Sequence, residues 1–377
     1  MTSPLPGAVA RRSGTLRRTC QQLYGVAWTL RRAKVWLLLS CGILLLLSCS
    51  PVRYVRIEAC NPAAITFPQD TRRILIVNNA VPQQDVPFES SYRTAPDSLP
   101  IMSDSTTFDF CRALGEQIAE FSGFDDVRLL EDGYRRDFSP FTAPVLTRTE
   151  VGLLCDEHET NIVITLDRLL FTLNEYIDKT YPYQAMAMVE VKMDGVVRVY
   201  MPARDAPMAT ILLADTIIPD FIFEDEFDDI MGMISYADFN NLLRVSARFL
   251  AEEARIHFIP YWTEDIRWYY IASGSQWKQA SAYAASDRWD RAAELWQTLY
   301  DSTTSAKQKA RLASNLALCM EMTGDLNEAL RYAERSHQLF LDHLDADDPI
   351  VMKQELYIRV LSNRITDEVK IRLQMNN

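Results

Sequence analysis

Acidic residues in the middle of the chain have the side chains that general acid and base catalysis requires. Hydrolysis of a glycosidic bond needs two carboxyl groups at a suitable separation, and Glu190, Asp215 and Asp225 could supply such a pair in a cleft. The spacing of these residues along the sequence does not determine the distance between their carboxyl groups in space. A carboxylate site that acts on, or carries, a polysaccharide or peptidoglycan is therefore one hypothesis for this part of the chain.

Metal and nucleotide chemistry have weaker signals in the sequence. His158 is followed by Glu159, but Ile162 stands where an HExxH zinc motif needs its second histidine. The acidic run 224–229 lacks the alternating spacing of a calcium-binding loop. The sequence also contains no GxGxxG, Walker or GxSxG motif. We therefore expect no metal, no cofactor and no catalytic residue, and the leading hypothesis is a protein that is not an enzyme.

Hydrophobic periodicity predicts alternating strands and helices up to residue 174. Residues 72–79 form a short apolar run that is typical of a buried strand, and 105–121 has apolar residues at helical spacing. The same reasoning predicts a strand at 126–130, a helix at 147–158 and a long strand at 161–174.

Beyond residue 180 the pattern changes to successive strands. Residues 183–200 alternate in hydropathy around Asp194-Gly195, which predicts a hairpin turn at that dipeptide. A strand at 208–218 and a helix at 237–258 follow. Elements in this order predict a mixed α/β sheet domain over residues 71–260. Since an all-helical region follows it, the predicted fold class is α+β.

The last third of the chain has small and apolar residues at helical spacing. In the segment LASNLALCMEMTGDLNEALRYAERS, Ala317 lies in a first helix, Gly324-Asp325 at a turn, and Ala329 and Ala333 in a second helix. This segment resembles a tetratricopeptide repeat, and a less regular copy precedes it. The resemblance implies an all-α domain over residues 261–377, in which alanines let paired helices approach closely.

The repeat resemblance also implies a concave groove that binds an extended peptide. Its lining residues would be Trp277, Ser281, Arg311, Ser314, Asn315 and Leu318. Asn315 matches an asparagine that binds the backbone or carboxylate of a ligand in peptide-binding relatives. The alternative is that the repeats only brace the first domain.

Two further segments complete the predictions for this region. Residues 260–270 hold five aromatic residues, which indicates a buried hinge in which Arg267 is stacked or paired rather than an exposed patch. Pro349 is tolerated at the first position of a helix, and we expect a third helix from there to Leu361.

The N-terminal segment differs from the rest of the chain in charge. Of 377 residues, 48% are apolar and 24% charged, as in a globular protein of two domains. Residues 1–48 contain seven basic residues and no acidic one, and their removal leaves 32 basic and 51 acidic residues, a net charge of −19. Because so acidic a body repels nucleic acid, we exclude a nucleic-acid partner.

An apolar run ends directly before Cys49. Residues 35–47 would form a helix of about 20 Å, which is short of the hydrocarbon core of about 30 Å. Basic residues, an apolar run and small residues follow one another as in a secretory signal peptide. The ending Leu46-Leu47-Ser48-Cys49 resembles a bacterial lipobox. The resemblance implies cleavage before Cys49, which then carries a diacylglycerol and an acyl chain such as palmitate.

The predicted organisation is a lipoprotein signal peptide at 1–48, a tether at 49–70 and the two domains described above. Ser50 does not signal retention in the inner membrane under the sorting rules that such lipoproteins resemble. The resemblance to a Bacteroidota-type lipoprotein therefore implies a lipid anchor in the outer membrane, with the chain facing the periplasm and an unidentified envelope protein as partner. An uncleaved signal anchor in the inner membrane is the alternative.

Overall fold

The computed structural model describes residues 52–91, 97–100, 104–130, 132–135, 139–181, 184–218 and 236–375. The described chain divides into two compact units. We call 56–265 with 355–375 the sheet unit, and 52–55 with 266–354 the helical unit. The predicted α+β class is confirmed, because a mixed sheet precedes an all-helical region.

The elements are named in chain order. They are β1 (Val52–Asn61), β2 (Arg73–Asn78), β3 (Asp85–Ser90), β4 (Ser98–Pro100), α1 (Asp104–Ala119), β5 (Asp126–Leu129), α2 (Arg148–His158), β6 (Ile162–Tyr181), β7 (Gln184–Tyr200), β8 (Ala209–Ile217), α3 (Tyr236–Ala254), β9 (Tyr261–Tyr270), α4 (Ser275–Ala284), α5 (Trp289–Ser302), α6 (Ala306–Thr323), α7 (Leu326–Leu341) and α8 (Pro349–Met375).

The sheet unit is built around the long strand β6. In the described part of the chain, β2 pairs parallel with both β5 and β6, while β3 pairs parallel with the far end of β6 and antiparallel with β4. On its other side β6 pairs antiparallel with β7, which pairs in turn with β8. The sheet is therefore mixed, with parallel strands joined through helices and an antiparallel meander beside them.

Helices cover the two faces of this sheet to different extents. Helices α1 and α3 pack on one face, where Phe110 and Leu243 belong to the large apolar core. Helix α2 packs on the other face, where Val151 and Leu154 contact the strand residues Leu75 and Val163. Helix α2 begins with a capping box, since Thr147 caps its first turn through the N–H of Glu150 and Glu150 bonds back to Thr147.

The predicted turn at Asp194-Gly195 is wrong. Strand β7 continues through both residues, and Gly195 pairs with Leu169 of β6 and Leu213 of β8. An Asp-Gly dipeptide favours a hairpin turn through the backbone preferences of its own two residues. Hydrogen-bonded ladders on both sides of β7 outweigh that local preference, because both ladders continue past Asp194 and Gly195 in each direction.

The helical unit packs α4, α5, α6 and α7 in succession around a core rich in aromatic residues. Trp277, Trp296 and Phe340 are buried in this core together with Tyr269 and Tyr270 of β9. Helix α6 ends at Gly324, whose φ of 88° is left-handed and suits a glycine. Successive helix pairs agree with the repeat prediction, but the resemblance to tetratricopeptide repeats itself stays a prediction.

The unit boundaries differ from the predicted domains. The segment 49–70, predicted as a tether, contains β1, and the predicted hinge at 260–270 contains β9, which pairs with β1. Helix α8 continues beyond Leu361 to Met375, and its part from Glu355 belongs to the sheet unit. These pairings join residues about 200 positions apart, so local sequence patterns do not reveal them.

Candidate functional site

Asn315 of α6 binds the main chain of Tyr270 on both sides. Its Oδ1 accepts the Tyr270 N–H at 2.6 Å, and its Nδ2 donates to the Tyr270 carbonyl oxygen at 2.8 Å. The amide thus replaces the two hydrogen bonds that a neighbouring strand would make. Asn315 is fully buried. The extended backbone that it holds is β9 of the same chain.

Arg267 of β9 forms a buried ion pair with Glu321 of α6. The exposed fractions are 5% for Arg267 and 4% for Glu321. The arginine Nε lies 3.0 and 3.2 Å from the two carboxylate oxygens, and a terminal nitrogen lies 3.0 Å from one of them. Such a planar pairing satisfies both ions away from water. The prediction that Arg267 is stacked or paired is confirmed.

The other residues predicted to line a peptide groove lie mostly in the interior of the helical unit. Trp277, Ser281, Ser314 and Leu318 are buried. The guanidinium carbon of Arg311 lies 5.6 Å from the centre of the Tyr270 ring, so it faces β9 as Asn315 does. At Asn315 and Arg311, β9 therefore takes the place that a peptide ligand would occupy.

A second polar cluster lies in the sheet unit, where an irregularity in β6 turns Asp167 into the interior. The pairing of β6 with β7 shifts register at Asp167, which is fully buried. Its Oδ1 accepts from Nδ2 of Asn79 at 2.6 Å, and its Oδ2 accepts from Arg198. Burial raises the pKa of Asp167, and the hydrogen bonds from Asn79 and Arg198 oppose that rise.

The same cluster holds the segment 139–146, which precedes α2. Asn79 Nδ2 also donates to the carbonyl oxygen of Pro144 at 2.9 Å, and Arg198 donates to that of Ala143 at 3.0 Å. The N–H of Leu146 donates to the Tyr200 hydroxyl oxygen at 3.2 Å. Side chains of Asn79, Arg198 and Tyr200 thus fix the main chain of this segment at three positions, 143, 144 and 146.

An open depression of about 350 Å³ lies beside this fixed segment. It is lined by Phe141 of the segment, by Arg168, Leu170 and Thr172 of β6, and by Lys192, Met193 and Asp194 of β7. The Phe141 side chain is 63% exposed. The depression combines an aromatic wall with charged and hydroxyl groups on one face of the sheet.

The carboxylates proposed for polysaccharide chemistry are not brought together. Side chains alternate between the faces of a strand, and the register places Glu190 of β7 and Asp215 of β8 on opposite faces of the sheet. Glu190 accepts from Asn174 at 3.2 Å, and Asp215 accepts from the N–H of Thr216 at 2.7 Å. Asp225 lies outside the described residues. Glu190 and Asp215 therefore do not form the catalytic pair that a glycosidase requires.

Cys49 and the apolar run before it also lie outside the described residues. In the part of the chain that the structure describes, no helix is long and apolar enough to cross a membrane. The same part contains no group of three or more His, Cys, Asp or Glu side chains that could hold a metal ion.

Sequence reasoning found Asn315 and Arg267 but missed Asn79, Asp167 and Arg198. Asn79, which directly follows β2, is the one local signal that could have pointed to the cluster. Polar residues after a buried strand often lie at a sheet edge. The irregularity at Asp167 leaves no comparable mark in the sequence, since it depends on how β6 pairs with β7.

Comparison with known protein families covers both regions of the chain. A model described as "Domain of unknown function (DUF8603)" matches residues 71–270, which is just over half of the chain. The chain belongs to the DUF8603 family. The DUF8603 match includes the sheet, the Asp167 cluster and β9. A second model, "Domain of unknown function (DUF6340)", matches residues 278–363 in the helices that follow. None of the curated proteins matches this DUF8603 chain.

Solved structures show only distant likeness to this DUF8603 protein. A PelC dodecamer from Paraburkholderia phytofirmans is 8% identical with a TM-score of 0.22, over 54% of this chain and 97% of that chain. The hypothetical protein CT253 from Chlamydia trachomatis is 11% identical with a TM-score of 0.25, over 50% of this chain and 96% of that chain. Scores this low carry no argument about function.

Proposed function

We propose that the chain is a lipid-anchored protein of the bacterial outer membrane, facing the periplasm, that is not an enzyme and acts through protein–protein contacts. The proposal that the protein is not an enzyme is supported by one observation. Its buried polar side chains bind other parts of the same chain. Asn315 holds Tyr270, Arg267 pairs with Glu321, and Asp167 binds Asn79 and Arg198. Each of these groups fastens part of the chain to another part.

We propose that a partner protein binds to the surface of the helical unit. At Asn315 and Arg311 its inner side is occupied by β9. We therefore assign the partner contact to outward-facing, exposed positions of this unit such as Lys278 and Arg335. Helix pairs that pack in succession offer an extended rigid face, which is the property that repeat proteins use for binding.

The lipid anchor rests on the order of residues around Cys49. Its test is metabolic labelling of the full-length chain with a clickable fatty acid, comparing wild type with Cys49→Ser. We expect Cys49→Ser to lose the label and Cys41→Ser, a matched change in the apolar run, to keep it. An unlabelled wild type that stays at full length in the inner membrane would instead establish the signal anchor.

The partner contact is tested by placing a photo-crosslinking residue in the full-length chain in living cells. At position 335 of α7 we expect a discrete product that contains a second envelope protein. Position 157 of α2 is an exposed helical position in the sheet unit and serves as the control. Crosslinking of equal strength at both positions, or at neither, would contradict a specific contact through the helical unit.

A further inference from the structure

The depression beside Phe141 is a preformed feature of the sheet unit. The buried Asp167 cluster fixes the carbonyl groups of Ala143 and Pro144, which follow Phe141 closely in the chain. A turn holds the preceding side, because Thr142 bonds twice to the carbonyl oxygen of Ser139. An aromatic ring that is 63% exposed is thus held on a segment fixed from both sides. A fixed main chain favours binding because less freedom is lost when a ligand packs on the segment.

The floor of the depression offers side chains rather than main chain. Leu170 lies opposite Asp194, and Thr172 lies opposite Lys192, in the paired strands β6 and β7. The backbone groups between these strands are engaged in their ladder. A peptide that binds by strand addition needs a free sheet edge, so this floor does not suit such a ligand.

Both cations of the depression have a carboxylate partner. Arg168 Nε donates to Oδ1 of Asp194 at 2.9 Å, and Lys192 Nζ lies 3.8 Å from an oxygen of Glu190. The local charge is therefore balanced. A phosphate or another strongly anionic ligand would find no excess positive charge here.

Two polar atoms of the depression remain available to a ligand. Oδ2 of Asp194 and Oγ1 of Thr172 have no hydrogen-bond partner within the part of the chain that the structure describes. A carboxylate oxygen accepts hydrogen bonds, whereas a hydroxyl group donates and accepts. They lie beside the apolar surfaces of Phe141 and Leu170. A matching ligand has several hydroxyl groups and one apolar face.

We propose that this depression binds a neutral carbohydrate. One face of a sugar ring packs against Phe141, and its hydroxyl groups donate to Asp194, accept from Lys192 and both donate to and accept from Thr172. The volume of about 350 Å³ lies in the range of small-ligand sites, about 300 to 1,000 Å³. The proposal depends neither on the lipid anchor nor on the helical unit, so it can fail or succeed separately from the proposed function.

The test uses the full-length chain in detergent and three neutral probes: cellotetraose, maltotetraose and chitotetraose. Saturation-transfer NMR detects contact with ring protons, and calorimetric titration measures the dissociation constant. We expect binding of at least one probe. Phe141→Ala should weaken it about tenfold because it removes the apolar contact, and Asp194→Asn should weaken it about as much because a neutral amide replaces the charged acceptor. Both side chains are largely exposed, so neither change is expected to unfold the protein.

Leu153→Ala is the matched control, because Leu153 is 64% exposed on α2 and does not line the depression. Circular dichroism of all variants checks that they fold. Failure of all three probes to bind would overturn the proposal. Binding that survives both Phe141→Ala and Asp194→Asn, or that Leu153→Ala weakens equally, would also overturn it. Preferential binding of inorganic phosphate would identify an anion site instead.

Discussion

At the residue scale, Asn315 of α6 does more than fill a buried position, because it hydrogen-bonds the main chain of Tyr270 in β9. The amide satisfies both the N–H and the carbonyl group of Tyr270. A buried polar group without a partner costs about 1 to 3 kcal/mol. Asn315 therefore helps to hold the end of β9 in the helical unit, together with the Arg267–Glu321 ion pair.

We predict that Asn315→Leu destabilises the helical unit by about 3 kcal/mol, because two backbone groups of Tyr270 lose their partners. Denaturant unfolding followed by aromatic fluorescence measures the change. Asn363→Ala removes an exposed asparagine from α8 and should change stability by less than about 0.5 kcal/mol. Equal effects of the two substitutions would show that the hydrogen bonds between Asn315 and Tyr270 contribute nothing to stability.

The Arg267–Glu321 pair leads to a prediction of non-additivity. Removing one partner leaves the other charge buried, which costs about 3 to 5 kcal/mol. We expect Glu321→Leu alone to destabilise the protein by this amount. The double variant Arg267→Met with Glu321→Leu should recover at least half of the loss, since no charge is left buried. Thermal and denaturant unfolding of the four proteins in the cycle measure the coupling.

The buried carboxyl group of Asp109 makes stability depend on pH. Burial tends to raise its pKa, but the hydrogen bonds and charges of Arg244 and Arg248 outweigh that effect and lower it. A folded-state pKa below the unfolded value means that the stabilisation is present above the ordinary pKa of about 4. It is lost as the pH falls through the folded-state pKa.

The measurement compares wild type with Asp109→Asn in urea unfolding between about pH 3 and pH 7. We expect the stability advantage of the wild type to be larger at the upper end of this range and to shrink toward the lower end. Asp167 titrates with the opposite sign, because its pKa is raised. The difference between the two proteins cancels that contribution. A constant difference across the range would contradict the role of Asp109.

At the element scale, Gly324 ends α6 with a backbone conformation that other residues rarely adopt. A Cβ at this position would meet no atom within 4 Å, so the cost of a substitution lies in the backbone alone. We predict that Gly324→Ala destabilises the helical unit by about 1 kcal/mol. Gly152→Ala is the control, and its expected effect on stability has the opposite sign. It lies within α2, also without a close neighbour, and should stabilise by about 0.5 to 1 kcal/mol.

At the scale of the whole molecule, the C-terminal end of α8 completes the sheet unit. Gln374 accepts the N–H of Ala63 at 2.9 Å and donates to the Ala63 carbonyl oxygen at 3.0 Å and to the Thr66 hydroxyl at 2.9 Å. These residues lie about 310 positions apart in the chain. The part of α8 from Glu355 onward therefore belongs to the same unit as the segment after β1.

We predict that Gln374→Ala lowers the protection of the Ala63 amide against hydrogen exchange by about 2 kcal/mol in opening free energy. The neighbouring change Met375→Ala should leave this amide protected, because Met375 is 60% exposed. Exchange detected by NMR or mass spectrometry makes the comparison. Unchanged protection in Gln374→Ala would show that α8 does not fasten this segment.

The sequence by itself determined the elements with strong local periodicity and the fold class built from them. The strands β2 and β5, the helices α1 and α2 and the turn at Gly324 were all predicted, since hydropathy and capping act within a few residues. Only the tertiary structure decided that β9 lies on Asn315, that Asp167 turns inward beside Asn79, and that α8 returns to the sheet unit. These features depend on hydrogen bonds between residues far apart in the chain, and no local pattern encodes such partners.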